Sequence, residues 1–239
     1  MKVAIKRDEN FVEYSVALEA PTLLELLNAI KTTQDATLQF SSGCRSSVCG
    51  SCAMRVNEVE VLACAYKVQE GDKIEALKNM PIIRDLVVDM DKAYSFNHTS
   101  KAWLHTLNEE AMMDESSVVI NAVQSDCILC GACYSACPVY SVNEEFLGPF
   151  ALTRVWKYVS DKRENQTQEK IDTIQNNGVW DCTLCNGCTV VCPQGISSKA
   201  DIEKLRVKST IAGYSDPSFS QNFGDFGGGF GSFDGSPIF

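Results

Sequence analysis

Twelve cysteines are the residues of this chain best suited to chemistry, and they form three groups of four. The first group is Cys44, Cys49, Cys52 and Cys64, whose C-x4-C-x2-C opening has the plant-type spacing for a 2Fe-2S cluster. Three thiolates on a tight loop can wrap two irons, and a neighbouring strand must supply the fourth. Gly50 and the serines between the cysteines let backbone N–H groups approach the cluster sulfurs. The alternatives are a zinc site or buried free thiols, although structural zinc usually draws on two separated C-x2-C pairs.

The other two groups repeat one pattern that ends in proline. The second group is Cys127, Cys130, Cys133 and Cys137, and the third is Cys182, Cys185, Cys188 and Cys192. Both have the bacterial ferredoxin spacing C-x2-C-x2-C-x3-C-P, in which the fourth cysteine of each run ligates the cluster of the other run. We therefore predict that Cys192 completes a 4Fe-4S site with the first three cysteines of the second group. Cys137 completes the remaining site with the first three cysteines of the third group.

Composition and charge limit the other functions open to the chain. A disulfide framework is disfavoured because the opening MKVAIKRDEN has no apolar run of a signal peptide behind its charges. No stretch approaches the roughly 20 apolar residues of a membrane-spanning helix, so we expect membrane attachment through partners. The net charge of -10 argues against nucleic-acid binding, because phosphate contacts need clustered positive charge. We expect protein partners instead.

The sequence shows no site for a substrate or an organic cofactor. It lacks the G-x-G-x-x-G fingerprint of flavin or nicotinamide binding. His98 and His105 are predicted to lie on a helix as solvated or structural side chains, with no catalytic partner near them in sequence. We therefore expect an electron carrier without catalytic residues of its own.

The pattern of apolar residues predicts two structural units. Period-two alternation over residues 2–7 and 11–17 indicates a hairpin, and Thr22 with Glu25 forms a capping box at the start of a helix. Short strands at 54–56, 59–62 and 73–77 make the N-terminal unit α+β. From Pro81 onwards the pattern is helical, so the second unit is predicted to be mostly α, with helices between the cysteine runs.

The last 27 residues contain no Lys or Arg and are rich in Gly, Ser and Phe. Their phenylalanines are Phe219, Phe223, Phe226, Phe230, Phe233 and Phe239. Such low complexity predicts a loose tail. An extended strap that docks on a partner is the alternative.

Five motifs stand in an order that is typical of one known family. They are CRSSVCGSC at 44–52, LAC at 62–64, PIIRDLVVDM at 81–90, FLGP at 146–149 and Cys192-Pro193. On these motifs the chain resembles the iron-sulfur subunit of succinate dehydrogenases and fumarate reductases. The resemblance implies a β-grasp plant-type ferredoxin domain at 1–96, which holds the 2Fe-2S cluster near an FAD-containing flavoprotein subunit.

The resemblance also implies a second domain and a tail. An all-α bacterial-ferredoxin-like domain at 97–212 would hold two cubane-type clusters, and the Gly/Phe/Ser-rich tail would occupy 213–239. The helical domain would pass electrons to a membrane-anchor or cysteine-rich subunit and indirectly to quinone. Such a complex would be peripheral on the inner membrane, on its cytoplasmic face or, after co-export with a partner, on the periplasmic face.

Two departures from the family pattern bear on the reaction. Dehydrogenase-type members usually have an aromatic pair after the second run and a histidine in the third, where this chain has Ser141, Val142 and Thr183. This difference favours fumarate reductase over succinate dehydrogenase, although the reaction is reversible. Most members have a non-cysteine residue in place of Cys185 and a 3Fe-4S centre. Cys185 therefore favours a second 4Fe-4S cluster over a 3Fe-4S centre.

Two alternatives to this family stay open at the level of sequence. An iron-sulfur subunit related to heterodisulfide reductase or glycolate oxidase would carry two complete runs but lack the 2Fe-2S domain. A freestanding multi-cluster ferredoxin would need no fixed partner, and the length of the chain argues against it.

Overall fold

The computed structural model describes residues 1–105 and 107–218. Residue 106 and residues 219–239 lie outside it, and with them all six phenylalanines of the predicted tail. Within the described residues, a sheet-containing N-terminal unit is followed by a helical unit. This arrangement agrees with the predicted α+β class.

The N-terminal unit contains, among the described residues, one five-stranded sheet in the order β2-β1-β5-β3-β4. The strands are β1 (Lys2–Arg7), β2 (Asn10–Ser15), β3 (Ala53–Val56), β4 (Val59–Leu62) and β5 (Lys73–Glu75). The predicted hairpin is β1 with β2, and the chain reverses at Asp8, which has a φ of 51°. β1 and β5 pair in parallel and the other neighbours are antiparallel.

Helix α1 (Leu23–Thr33) begins at the predicted capping box. Thr22 Oγ1 accepts a hydrogen bond from the Glu25 amide (3.2 Å), and the Glu25 carboxylate accepts one from the Thr22 amide (2.7 Å). These two bonds satisfy amides that a helix start leaves without partners. The buried face of α1 then packs with the apolar side chains of the sheet, each contributing about 1.5–3 kcal/mol. That face consists of Leu23, Leu24, Leu26, Leu27 and Ile30.

A second hairpin replaces the helix predicted from Pro81. It consists of β6 (Ile82–Arg84) and β7 (Val87–Val88). The turn between them depends on Asp85, which has a φ of 48° and whose carboxylate accepts a hydrogen bond from Arg7 Nε (3.0 Å). The helical prediction is wrong here because β-branched residues and a distant arginine stabilise the extended conformation.

The second unit is helical, as predicted. Its helices are α2 (Asp91–Thr99), α3 (Glu115–Val119), α4 (Ala122–Ser125), α5 (Ala132–Ser135), α6 (Pro149–Val159), α7 (Thr167–Thr173), α8 (Gly187–Val190) and α9 (Ser198–Ile211). The central packing is between α6 and α9. His98 lies on α2, but His105 lies beyond its end, after a turn at Lys101 with a φ of 50°. Both histidine rings lie against Trp103, at 5.4 and 6.5 Å between ring centroids.

Buried apolar side chains of the described residues form two cores. One lies between the sheet and α1, and the other lies among the helices. Leu77, Met80, Ala93 and Phe96, which precede the predicted boundary at 96/97, pack in the helical core. The segment after β5 thus joins the two units, and the exact domain division remains a prediction.

Polar contacts fasten the two units together beside the second cysteine run. Ser135 Oγ donates to Glu60 Oε1 (2.7 Å), and the same carboxylate oxygen lies 3.2 Å from Arg55 Nε. Arg55 and Glu60 are both buried, so this ion pair is shielded from water. The Asn79 amide donates to the carbonyl oxygens of Tyr134 and Ser135, at 3.0 Å each. The position of the second run is therefore tied to the sheet.

Candidate iron-sulfur sites

The first cysteine group lies on the loop between α1 and β3, with Cys64 just after β4. Arg45, Ser47 and Gly50 have left-handed φ values of 60°, 63° and 74°. These three reversals coil the loop tightly, which brings its backbone amides next to the cysteine sulfurs.

Hydrogen bonds to sulfur characterise this first site. The amides of Ser46 and Val48 donate to Cys44 Sγ at 3.4 Å each, and they lower the pKa of Cys44 to about 6. The Cys44 amide donates to Cys49 Sγ (3.3 Å), and Ser51 Oγ lies 3.1 Å from the same sulfur. Since the thiolate is the form that binds metal, the loop is prepared for a ligand role.

The first site is open to solvent on one side. Cys44 and Cys49 are exposed, Cys64 is partly buried and Cys52 is buried. Desolvation raises the pKa of Cys52 to about 11. The four predicted ligands are thus brought together at the surface, with one of them anchored in the core of the sheet.

The second site is a cavity lined by Cys127, Cys130, Cys133 and Cys192. The structure therefore brings the fourth cysteine of the third run to the second run, as the reciprocal pattern predicts. The other described side chains that line the cavity are uncharged, among them Phe150, Thr153 and Ile196. Four sulfurs in an apolar enclosure suit an iron-sulfur cluster, whose irons supply the compensating positive charge.

A single metal ion fits the described residues less well than a cluster. Across residues 1–105 and 107–218, no three His, Cys, Asp or Glu side chains converge closely enough to hold one ion. A structural zinc site needs four such ligands around one ion, so the described geometry does not favour zinc.

Burial dominates the electrostatics of the second site. Desolvation raises the pKa of Cys130 to about 11 and that of Cys133 well above its ordinary value. It also raises the pKa of Cys127, and the positive charges of Arg154 and Lys157 on α6 oppose this rise. The apolar surroundings disfavour free thiolates, so a cluster held there would supply the compensating positive charge.

The third site is formed by Cys137, Cys182, Cys185 and Cys188. Burial is the main cause of the raised pKa of Cys137, and the charges of Cys182 and Cys185 add to it, so these sulfurs are neighbours. Cys188, whose pKa is raised by burial to about 11, also interacts with the other three. Cys137 and Cys188 are buried, whereas Cys185 is exposed.

The second and third runs have the same backbone conformation. Leu129 and Leu184, each just before the second cysteine of its run, have φ values of 53° and 56°. Gly131 and Asn186, each just after that cysteine, have φ values of 82° and 70°. A short helix within each run contains its third cysteine, α5 in one run and α8 in the other. Cys130 and Cys185 therefore occupy equivalent positions.

The three sites follow one another in contact. A Cβ atom on Gly50 would lie 2.8 Å from the Cβ of Cys130, so the first loop touches the second run directly. Gln194 Nε2 also donates to the Ser47 carbonyl oxygen (3.0 Å). Between the second and third sites, a Cβ on Gly187 would lie 3.1 Å from the Ala136 carbonyl oxygen. Sequence reasoning missed Gln194, because nothing local marks a contact between residues so far apart in the chain.

Comparison with known proteins finds two domain families and several relatives of this chain. Two family models match: a 2Fe-2S iron-sulfur cluster binding domain over residues 2–95 and a 4Fe-4S dicluster domain over residues 123–196. A fumarate reductase iron-sulfur subunit of Shigella flexneri is 36% identical, covering 82% of this chain and 85% of its own. A mitochondrial succinate dehydrogenase [ubiquinone] iron-sulfur subunit of Oryza sativa is 31% identical, covering 81% of this chain and 74% of its own.

A solved structure has the same fold. A chain of the Mycobacterium smegmatis Sdh1 complex in the apo form superposes with a TM-score of 0.78 over 90% of this chain and 98% of that chain, at 22% identity. The predicted β-grasp ferredoxin domain followed by a helical ferredoxin-like domain is confirmed. Among residues 1–105 and 107–218, no helix has the length and apolar character needed to cross a membrane. By its motifs and by the identity and coverage of these relatives, the chain belongs to the family of iron-sulfur subunits of fumarate reductases and succinate dehydrogenases.

Proposed function

We propose that this chain relays single electrons between an FAD-containing flavoprotein subunit and a quinone-linked or cysteine-rich membrane partner. It does so as a non-catalytic subunit of a fumarate or succinate oxidoreductase complex. The observation that carries the proposal is the succession of three four-cysteine sites, each in contact with the next. Iron-sulfur clusters, when bound, supply the one-electron redox chemistry.

The chain itself contributes ligands, spacing and shielding. The proposed 2Fe-2S ligands are the four cysteines of the first site, the proposed 4Fe-4S ligands are those of the second, and those of the third hold the last cluster. The exposed edge at Cys44 and Cys49 suits electron exchange with a docked partner. The direct contact of Gly50 with Cys130 keeps the first two sites close, which favours transfer between them.

The last cluster is proposed to be 4Fe-4S. The equivalent backbone of the second and third runs supports this assignment, because it gives Cys185 the position that Cys130 has in the second site. Electron paramagnetic resonance (EPR) of the air-oxidised protein tests it. We expect no strong three-iron signal in the wild type, and a three-iron signal in Cys185→Ser. A strong signal in both proteins would instead indicate a 3Fe-4S centre.

The direction of fumarate reduction is preferred. Ser141, Val142 and Thr183 stand where dehydrogenase-type members usually carry aromatic and histidine residues, and no aromatic or imidazole ring is available at these three positions. Fumarate reductase iron-sulfur subunits at 36% identity are among the relatives, and one from Wolinella succinogenes is named for 8-methylmenaquinol. We further propose a peripheral location on the cytoplasmic face of the membrane, held there by partner subunits.

Reduction through a flavoprotein tests the relay. We expect the full chain alone to show no fumarate or succinate turnover with a dye, and its clusters to be reduced by succinate only when the flavoprotein subunit is present. Cys133→Ala should interrupt the relay, leaving the 2Fe-2S cluster reducible and the third cluster oxidised. Turnover by the chain alone, or absence of iron and acid-labile sulfide, would overturn the proposal.

A further inference from the structure

A buried carboxyl group lies behind the second site and is not one of its ligands. The side chain of Asp201 on α9 is only 1% exposed. Its Oδ1 accepts a hydrogen bond from Gln124 Nε2 (2.8 Å) and lies 3.6 Å from Lys204 Nζ. Its Oδ2 is buried and has no hydrogen-bond partner among the described residues. A carboxylate so poorly satisfied is costly to keep ionised, and burial raises the pKa of Asp201 to about 6.

Thr153 connects this carboxyl group with the second site. Its side chain lines the cavity formed by the four thiols, and its hydroxyl interacts with the Asp201 carboxyl group. Thr153 Oγ1 is buried and, like Asp201 Oδ2, lacks a well-formed hydrogen bond to any described residue. These two neighbouring oxygens can share a hydrogen bond, and the protonation state of Asp201 decides which of them donates.

The two protonation states present different groups to the cavity. When Asp201 is ionised, the Thr153 hydroxyl donates to Oδ2 and its proton points away from the cavity. When Asp201 is protonated, Oδ2 donates to Thr153 Oγ1, which frees the hydroxyl proton to donate towards the cavity. A hydrogen bond directed there stabilises added negative charge.

Other charged groups lie on the elements around α9. Arg154 and Lys157 of α6 act directly on Cys127 of the second site. Further groups are the buried pair of Lys170 and Glu164 beside α7, Cys188 of α8, and the pair of Lys199 and Glu203 on α9 itself. Helix α4 faces Asp201 with the neutral Gln124. Lys204 is the cation closest to the carboxyl group, but its side chain is 48% exposed and so remains largely solvated. Asp201 is therefore a buried carboxyl group that is linked to the lining of the second site through Thr153.

We propose that Asp201, acting through Thr153, takes up one proton when the second site accepts one electron. The electron comes from the preceding donor in the relay and remains at the second site, and the proton passes from water to Asp201 Oδ2. No other bond is broken or formed, and re-oxidation returns the proton. The inference rests on the proposed function, because it requires a cluster at the second site.

A redox titration at several pH values tests the coupling. The full chain, isolated with its clusters, is titrated between about pH 5.5 and about pH 8.5 while EPR follows the second-site cluster. In the wild type, we expect the potential to fall with pH above about 6. The steepest slope is a tenfold change in the reduction equilibrium per pH unit, or about 59 mV for one electron. Asp201→Asn, which cannot titrate, should abolish this slope.

Two further variants separate proton uptake from structural damage. Asp161→Asn is the matched control, because Asp161 is also buried but its bond with Arg163 lowers its pKa, so it stays ionised throughout. It should keep the wild-type slope. Thr153→Val should reduce the slope while Asp201 is still present. If Asp201→Asn loses the cluster, infrared difference spectra of the wild type provide the readout, since reduction should add a protonated aspartic acid band that shifts with isotope-labelled aspartate.

The outcomes distinguish this inference from the proposed function. A cluster that is present and shows the same slope in Asp201→Asn as in the wild type would overturn the inference alone. So would the lack of an aspartic acid band on reduction. A wild-type chain without iron at the second site would overturn the proposed function first, and the inference with it.

Discussion

Backbone amides donate to cysteine sulfurs in both units of this chain, but the balance between hydrogen bonding and burial differs between the exposed thiols of the first site and the buried thiols of the second. At the first site, backbone amides donate to sulfur and lower the pKa of Cys44 to about 6, although Cys44 and Cys49 are exposed. At the second site, burial raises the pKa of Cys130 to about 11 in an apolar cavity. Hydrogen bonds stabilise a thiolate that meets water, whereas a buried thiolate depends on the charge of the metal.

This difference indicates where each site is vulnerable. The first site is built from a local loop, so it should tolerate changes in distant parts of the chain. The second site is enclosed by α6, α9 and both cysteine runs, so it depends on the packing of the whole helical unit. The first and second sites meet at Gly50 and Cys130, so a substitution there should affect both sites.

Removal of one ligand from each site should have the largest effect. We expect Cys192→Ala to abolish the second-site cluster and to lower the free energy of unfolding by several kcal/mol, because metal binding is coupled to folding there. Cys49→Ala should abolish only the 2Fe-2S cluster, with little change in the helical unit. Iron and sulfide content, EPR and thermal unfolding measure these effects. Loss of all clusters in Cys49→Ala would contradict the independence of the first site.

Substitution of the glycine at the contact should have the next largest effect. Gly50→Ala must place a Cβ 2.8 Å from both the Cys130 Cβ and the Ile128 carbonyl oxygen, at a φ of 74°. The left-handed φ costs about 1–2 kcal/mol, and the overlap about 1–3 kcal/mol more. Gly71→Ala is the control, because its φ is 85° but nothing lies within 4 Å of the added atom. Equal losses in the two variants, measured by chemical unfolding, would exclude a tight contact at Gly50.

The pH dependence of stability should have opposite signs in the two units. Hydrogen bonds from Thr37 and Tyr14 lower the pKa of Asp35 to about 2. Its stabilising contribution is therefore present above its ordinary pKa and is lost as pH falls through about 2. Asp201, with its pKa raised to about 6, stabilises the fold in its protonated form, and this contribution is lost as pH rises through about 6.

The variant Asp201→Asn measures how much the buried Asp201 carboxyl group changes the free energy of unfolding with pH. At pH 7 the variant should be more stable than the wild type by up to about 3 kcal/mol, since a neutral amide avoids the cost of a buried charge. The difference should close below about pH 4, where Asp201 is protonated in both the folded and unfolded states. Chemical unfolding across this pH range measures it, and a variant less stable than the wild type at pH 7 would contradict the explanation.

The smallest expected effect is on the potential of the first site. Ser51→Ala removes the hydroxyl that lies 3.1 Å from Cys49 Sγ. We expect a small negative shift of the 2Fe-2S potential, because one hydrogen bond that stabilises added negative charge is lost. Thr33→Ala on α1, whose hydroxyl bonds to the Ala29 carbonyl oxygen, should cause no shift. Equal potentials in both variants would show that the Ser51 hydroxyl does not tune this site.

Local spacing determined much of what could be predicted from the sequence. The three cysteine groups, the capping box at Thr22 and Glu25, and the first hairpin all depend on residues close together in the chain, where spacing decides the geometry. The position of Cys192 beside the second run was also predictable, because in the repeated ferredoxin pattern the fourth cysteine of each run joins the other run. The four cysteines of the third run likewise predict a second 4Fe-4S cluster from spacing alone.

Tertiary packing decided the rest. The hairpin of β6 and β7 forms where helical spacing was expected, because Arg7, far away in sequence, binds the turn at Asp85. The contact of Gly50 with Cys130 and the bond of Gln124 to Asp201 join residues 77 or more positions apart. No local pattern encodes such contacts, since they exist only once the two cores have packed and excluded water from the groups between them.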